Sequence, residues 1–365
     1  MHWQFVWLRF WACSITISLL VMCGCIGRAL PVQIETENKV KLDGPLEGKF
    51  TASLAATNAV EPLIEQRIES PGWQGNATTT SGPKMGVIDV DGILLNGNNV
   101  GLYSTGENPV ALFREKLDRF ERDHQVLAVV IRLNCPGGSV AATEIMTHDL
   151  EQFRKRSGKP VVVTIQDLGC GGGYFLATQA DYIVAQPGSM VGGIGVILNL
   201  YNLQDMMAQF NILNQSIKAG PMVDMATTNK ALTEDARQLL QTMADQYHRR
   251  FQQQVVTHRR LTSEGQLGLD GRVVSADQAL QFGWIDEIGF MEDALLKARG
   301  LSRAPQASAI MLRRPGDPAR TPYAVTPNQP IALVPLSFPG MDRSKWPTFM
   351  YAWAPDPTLD RLGSK

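Results

Sequence analysis

Short, continuous runs of apolar residues alternate along the chain with longer segments in which apolar residues recur at helical spacing. Runs dominated by valine, isoleucine and leucine are typical of strands buried on both faces, and they stand at 126–133, 161–165 and 182–185. Between them lie a helix-compatible segment at 140–156 and a glycine loop at 167–173 that leads into a further apolar helix. Strands that alternate with helices in this way predict a layered α/β domain built on right-handed crossovers.

Polar start signals mark two of the predicted helices. Asn108 followed by Pro109 is a capping residue with proline at the first helical position, which is typical of a helix N-terminus. Thr233 in front of two acidic residues predicts the start of a longer helix. The apolar positions of that helix form one stripe, which predicts a core or subunit-interface face rather than a ligand site: Leu240, Met243, Tyr247 and Phe251.

The same pattern predicts where the domain begins and ends. An apolar strand with a turn at 85–95 opens the domain, whereas residues 26–84 show little sustained periodicity and are interpreted as a linker. The domain is expected to cover 85–299. Residues 300–365 are rich in proline and arginine, and the pattern assigns no role to this tail.

Residues 1–25 have the composition of an export signal or membrane anchor. Arg9 precedes an apolar run that suits the hydrophobic region of a signal peptide and is short for a full membrane span. The run is followed by Gly24 and Cys25, and a small residue before a cysteine resembles a bacterial lipoprotein cleavage site with Cys25 as the lipidated residue. Ordinary cleavage and an uncleaved anchor are the alternatives. We expect an exported protein, associated with the membrane through its N-terminus, on the periplasmic side of the cell envelope.

The bulk composition narrows the classes of function. With 365 residues and 44% hydrophobic content, the chain can bury one substantial core plus extensions. A formal net charge of -1 gives no electrostatic case for binding nucleic acid. The 5 histidines are scattered, and no His/Cys cluster has metal-ligand spacing. We therefore expect neither a metal nor a cofactor.

Glycine-rich motifs follow one another in the predicted domain: Pro136-Gly137-Gly138, Gly171-Gly172-Gly173-Tyr174 and Gly192-Gly193-Ile194-Gly195-Val196. A further motif at 271–289 predicts a strand, a short helix and a strand that close the domain. In order and spacing these motifs resemble the signal peptide peptidase (SppA, protease IV) family, whose members read PGG, SGGY and GSIGV. The resemblance covers about 85–299 and implies a ClpP/crotonase-like fold.

The resemblance places glycine at the position of the family's catalytic serine. Gly171 stands there, and Val223 stands at the position of the lysine that acts as general base in the family. Glycine has no side chain that attacks a carbonyl, and valine neither accepts nor donates a proton. A third polar position, a serine thought to orient the family's lysine, is Gly193 here.

The resemblance also implies that the oxyanion site is retained. Family members stabilise the tetrahedral oxyanion with backbone N–H groups from glycine turns, and the matching residues are Gly137, Gly138 and Gly172. Glycine suits such turns because it permits positive φ and close approach of a substrate to the backbone.

Cys170, one residue before the missing nucleophile, is the candidate substitute. Adjacent side chains usually point in different directions, and a reactive thiolate needs a basic neighbour that the sequence does not show. A buried, inert thiol is the competing interpretation. Lys218 as a substitute base is weighed against an exposed charge, and Cys135 beside the first glycine turn is interpreted as a packing residue.

Three functions compete on these observations. The favoured prediction is a non-catalytic SppA-family homologue, a pseudoprotease that binds peptides or signal-peptide fragments. The alternative is a working peptidase that uses Cys170 as its nucleophile. A third is acyl-CoA chemistry, which the ClpP/crotonase fold also hosts, although no nucleotide pocket is indicated and export argues against access to coenzyme A. The resemblance further implies a ring of copies of this chain, or a mixed ring with an active homologue.

Overall fold

The computed structural model describes residues 62–68, 82–97, 108–259, 261–314 and 348–353. The strands are β1 (Ile64–Arg67), β2 (Lys84–Leu94), β3 (Val126–Ser139), β4 (Val161–Cys170), β5 (Tyr182–Ala185), β6 (Met190–Gly192), β7 (Val273–Ser275), β8 (Glu287–Ile288), β9 (Ser308–Arg313) and β10 (Met350–Ala352). The helices are α1 (Pro109–Arg122), α2 (Val140–Ser157), α3 (Gly172–Ala177), α4 (Gln204–Gln209), α5 (Glu234–His258), α6 (Ser263–Leu267), α7 (Ala276–Phe282) and α8 (Met291–Leu301).

One sheet organises the described residues, in the order β1-β9-β2-β3-β4-β5-β8. Strands β2, β3, β4 and β5 pair in parallel, so each connection must cross over the sheet, and α1, α2 and α3 supply these crossovers. At the carboxyl ends, β6 pairs with β4, and β10 adds to β3 in antiparallel orientation. The predicted layered α/β fold is confirmed.

Both faces of the central strands are buried. Along β3, the side chains of Val129 and Ile131 belong to one hydrophobic cluster, whereas those of Ala128 and Val130 belong to a second cluster on the opposite face. Helix α8 covers the second face with Met291, Ala294, Leu295 and Ala298. Burial on both faces explains why the strand is a continuous apolar run rather than an alternating one.

The helix start signals are confirmed in the structure. The Asn108 side chain accepts a hydrogen bond from Val110 N at 3.0 Å, and the Thr233 hydroxyl accepts one from Ala236 N at 3.4 Å. Of the apolar stripe on α5, Leu240 and Phe251 are buried and the other two members are half-buried. This stripe therefore packs on the core.

The sheet extends beyond the segments that the sequence pattern marked as strands. Strand β1 lies in the segment interpreted as a linker and pairs with β9, and β9 and β10 both lie in the segment to which no role was assigned. Strand β3 runs on to Ser139 and β4 to Cys170, through residues expected to form loops. Strand β9 is itself a buried apolar run over Ala309–Leu312, within a tail rich in proline and arginine. The extensions of β3 and β4 carry few apolar side chains, and backbone pairing with neighbouring strands rather than burial periodicity makes them strands.

Residues 1–25, including Cys25, lie outside the described residues. Within the described part of the chain, no helix combines the length and the apolar character that a membrane span needs.

Candidate active site

The glycine motifs meet where β3, β4 and β6 end. Gly171 stands between β4 and α3, with φ 51° and ψ −125°. Its N–H donates to Gly192 O at 2.9 Å, and its carbonyl accepts from Phe175 N at 2.9 Å. This sharp strand-to-helix turn uses backbone angles that residues with a side chain rarely adopt, so glycine relieves strain there.

The first glycine turn lies against the start of α3. A Cβ atom built on Gly172 would lie 3.3 Å from Gly138 N, so the backbones of these two motifs are adjacent. Gly137 has φ 128°. The structure thus brings together Gly137, Gly138 and Gly172, the three residues predicted to supply oxyanion-type N–H groups.

Gly193 also belongs to this cluster. A Cβ atom on Gly193 would lie 3.1 Å from Gly171 N and 3.5 Å from the Cβ of Cys170. The two positions at which the family carries serine are therefore neighbours in space. Both are glycine here, so neither contributes a hydroxyl.

The neighbouring thiols are protonated and buried. Cys170 is fully buried, its Sγ lies 3.5 Å from Met190 O, and burial raises the pKa of its thiol to about 12. Burial likewise raises the pKa of Cys135 to about 12, and its Sγ accepts a hydrogen bond from Gly137 N at 3.3 Å. At neutral pH neither side chain is a thiolate, which is the nucleophilic form of cysteine.

The residues at the predicted base positions are exposed. Val223 is 68% exposed. Lys218 Nζ donates to both carboxylate oxygens of Asp224, at 2.8 and 2.9 Å, and hydrogen bonds from Lys218 and Lys230 lower the pKa of Asp224 to about 2. No hydrogen bond or ion pair among the described residues links Val223 or Lys218 to Gly171. Lys218 therefore forms a surface ion pair.

The sequence pattern did not predict that the hydroxyl of Thr143 lies beside the site. Thr143 on α2 is fully buried, and its Oγ1 has no hydrogen-bond partner among the described residues. A Cβ atom on Gly172 would come within 2.3 Å of this oxygen, so the hydroxyl lies directly against the start of α3. Because no basic side chain among the described residues hydrogen bonds to it, Thr143 lacks a described partner that would activate it as a nucleophile.

Strand β10 lies in the groove beside these glycines. Val140 N donates to Phe349 O at 3.2 Å, and Trp353 N donates to Pro136 O at 3.0 Å. On the other edge, Met350 and Ile197 exchange two backbone hydrogen bonds of 2.9 Å. The strand is thus paired along both edges.

Tyr351, in the middle of β10, places its carbonyl over the glycine cluster and its ring in a pocket. A Cβ atom would lie 2.3 Å from Tyr351 O if built on Gly171, and 2.0 Å from it if built on Gly137. The buried ring stacks on Phe175, with centroids 5.2 Å apart, and its hydroxyl donates to Tyr247 O at 3.1 Å. Phe251 closes the pocket, with centroids 4.9 Å apart, and burial raises the pKa of Tyr351. The pattern of residues 300–365 gave no sign of this contact.

The comparisons with known proteins agree with the motifs. The model of peptidase family S49 matches residues 153–304. A putative protease of Methanocaldococcus jannaschii is 34% identical over 211 residues, which cover 58% of this chain and 67% of that protein. Protease 4 of Salmonella typhi is 30% identical over 275 residues, which cover 72% of this chain and 43% of that protein.

The chain belongs to peptidase family S49, the family of SppA and protease 4. It spans less than half the length of Protease 4 of Salmonella typhi. Among solved structures, a membrane-bound stomatin-specific protease is 16% identical, with a TM-score of 0.37, over 60% of this chain and 85% of that one. Membership of the family confirms the resemblance and the ClpP/crotonase-like class of fold.

Proposed function

We propose that this protein is a non-catalytic member of family S49 that binds peptides in an extended conformation. The observation that carries the proposal is Gly171, which puts bare backbone at the turn between β4 and α3 where the family carries its nucleophile. In a serine protease, loss of the nucleophile alone costs a factor of about a million in rate.

The side chains around the turn support the same conclusion. Cys170 stays a neutral thiol because burial raises its pKa to about 12, and none of the described residues serves Thr143 as a base. Val223 supplies no amine, and Lys218 is held by Asp224. A peptidase mechanism needs both a nucleophile and a base, and the described residues of the site supply neither.

The groove supports peptide binding independently of catalysis. The end of β3 and Ile197 each offer backbone groups to a strand laid between them, as the pairing of β10 shows. Adding a strand to a sheet edge, as β10 does here, is a common way to bind extended peptides, because main-chain hydrogen bonds give affinity and side-chain pockets give selectivity.

We also propose that copies of the chain, or this chain and an active homologue, assemble through the segment 201–217. Its apolar side chains are strongly exposed, with Phe210 at 72%, Leu213 at 70% and Ile217 at 103%. Several large apolar side chains exposed within one short segment are typical of an interaction site. Export and attachment to the cell envelope through residues 1–25, with Cys25 lipidated, are proposed from the sequence alone.

Hydrolysis of a fluorogenic peptide library by the full chain tests the proposal. We expect release of fluorophore at the rate of buffer alone, and the same rate for Cys170→Ala and Thr143→Val. Cleavage that disappears in Cys170→Ala would identify a cysteine peptidase, and cleavage that disappears in Thr143→Val would identify a threonine nucleophile. Either result overturns the non-catalytic assignment.

A further inference from the structure

We propose that Cys135 is a positioning residue of the groove, whose thiol aims the Gly138 N–H at a carbonyl of the peptide chain that lies there. The sequence pattern suggested only a packing role for Cys135, and its contacts in the structure go beyond packing. This inference rests on the proposed peptide-binding function and adds to it a residue that orients a backbone donor of the site.

The thiol of Cys135 contacts both polar backbone groups of Gly137. Its Sγ accepts a hydrogen bond from Gly137 N at 3.3 Å, and the S–H donates one to Gly137 O at 3.4 Å. These lengths suit sulfur, which is larger than oxygen, and they exceed the usual length of an N–H···O hydrogen bond. Both residues are buried, so a polar group of Gly137 that lost its partner would be costly to leave unpaired.

The planar peptide bond transmits this constraint to the next residue. The carbonyl of Gly137 and the N–H of Gly138 belong to one peptide unit, and in a trans peptide these two groups point in opposite directions. The thiol holds the carbonyl on its own side, so the Gly138 N–H points away from the thiol. Gly137 has a φ of 128°, which glycine adopts without strain, and the turn therefore tolerates this orientation.

The N–H of Gly138 is directed into the groove. Val140 N donates to Phe349 O at 3.2 Å, so this residue pair is hydrogen bonded. Hydrogen-bonded pairs recur at every second residue of an antiparallel ladder, and Gly138 pairs with Tyr351 two residues further along. The donor of Gly138 therefore faces a carbonyl of the chain in the groove, which is Tyr351 O in this structure.

The same thiol connects the first glycine turn to α3. A Cβ atom on Gly173 would lie 2.8 Å from the Cβ of Cys135 and 3.1 Å from its Sγ. Burial raises the pKa of the thiol to about 12, and hydrogen bonds from the backbone of Gly137 and Gly173 act against this increase. One side chain thus contacts two glycine motifs at the place where they approach each other.

Serine and alanine at position 135 distinguish orientation from packing. The two side chains have nearly the same size, but only serine keeps a group that both donates and accepts a hydrogen bond. We expect Cys135→Ser to leave the Gly138 amide as protected from hydrogen exchange as it is in the native chain. Cys135→Ala should make this amide exchange about fivefold faster or more, the factor that corresponds to one hydrogen bond of about 1 kcal/mol.

NMR spectroscopy of the isotopically labelled full chain measures the exchange, with the amide of Val129 as internal reference. Val129 N donates to Pro160 O at 3.0 Å, in a part of β3 that lies before the glycine turn. The ratio of the Gly138 rate to the Val129 rate removes any loss of global stability that the two variants share. Equal ratios in Cys135→Ser and Cys135→Ala would overturn the proposal and leave Cys135 as a packing residue.

The native chain allows a measurement that needs no variant. The amide of Gly137 donates to the sulfur, so we expect it to exchange slowly. Exchange at the rate of an unstructured peptide would overturn the proposal even if Cys135→Ala did not fold. Peptide hydrolysis by the native chain would instead overturn the non-catalytic assignment, and the exchange ratios would be unaffected because this experiment contains no substrate.

Discussion

At the scale of single residues, two independent constraints favour glycine at position 171, and the sequence does not distinguish between them. Its positive φ favours glycine by itself, and the approach of Tyr351 O leaves no room for a Cβ atom. The glycine run in the sequence is typical of an unusual turn, because glycine tolerates backbone angles that other residues rarely adopt. It could not reveal the second constraint, since Tyr351 lies 180 positions further along the chain.

We therefore expect Gly171→Ala to destabilise the protein by about 2–4 kcal/mol, because the substitution strains the turn and either crowds or releases β10. Urea denaturation monitored by circular dichroism measures the loss. Gly158→Ala is the matched control, since Gly158 also has positive φ (65°) but has nothing within 4 Å of its Cβ position. It should cost only about 1 kcal/mol. Equal losses for the two variants would show that the contact with Tyr351 contributes nothing.

A second prediction at this scale concerns Cys135 and Cys170. Burial holds the pKa of both thiols at about 12, so in the folded protein neither should react with iodoacetamide at pH 8, and both should react in urea. Peptide mapping by mass spectrometry separates them from the other cysteines. Rapid native labelling of Cys170 would contradict the burial and revive the cysteine-peptidase alternative.

The raised pKa values of Cys135 and Cys170 also determine the direction in which the stability of the protein changes with pH. A cysteine thiol in the unfolded chain has a pKa of about 8.5. In the folded protein, burial raises the pKa of both thiols to about 12. Above pH 8.5 the unfolded state therefore binds fewer protons than the folded state. The stability of the protein should accordingly decrease as the pH increases through this range.

At the scale of elements, the central strands were predictable and the peripheral ones were not. The apolar runs that form β3, β4 and β5 are buried on both faces. Strands of this kind can be recognised in the sequence because their apolar residues are continuous. Strands β1 and β10 are short, and pairing with β9 and with the end of β3 holds them in place. Because these two strands are held by contacts with distant parts of the chain, their own sequences carry no periodic pattern of apolar residues that would predict them.

The pairing of β2 with β3 includes a buried ion pair between registered neighbours. Arg132 and Asp89 are 2.5 Å apart, with side chains only 1% and 2% exposed. Asp89→Ala leaves the guanidinium buried without this partner, and we expect a loss of about 3–5 kcal/mol in the free energy of unfolding. The double variant Asp89→Ala with Arg132→Met should recover much of it.

The exposed pair of Asp270 and Arg272 provides the comparison for that measurement. Its side chains are 51% and 53% exposed, so Asp270→Ala should change the stability by less than about 1 kcal/mol. If Asp89→Ala lowers the free energy of unfolding no more than Asp270→Ala does, the buried ion pair does not stabilise the pairing of β2 with β3.

At the scale of the whole molecule, the positions that the motifs assign to the site converge only in part. The resemblance predicted that the glycine motifs converge, and the structure brings Gly137, Gly138, Gly171, Gly172 and Gly193 together. Val223 lies instead in an exposed segment. A motif alignment gives a residue's place in the chain, but its neighbours depend on how loops and subunits pack.

The exposed apolar segment predicts self-association. We expect Phe210→Glu combined with Leu213→Glu to reduce the molar mass measured by light scattering, because charges desolvated at an interface oppose assembly. Lys155→Glu on the exposed surface of α2 serves as the charge control and should leave the mass unchanged. A native chain that is monomeric at every concentration would exclude assembly through 201–217.

The carbonyl of Tyr351 above Gly171 has a consequence for the lifetime of the chain itself. Under the proposed non-catalytic function, the peptide bond between Tyr351 and Ala352 lies against a turn that carries no hydroxyl. The full-length chain should therefore persist on prolonged incubation, with no fragment that ends at Tyr351 in its mass spectrum.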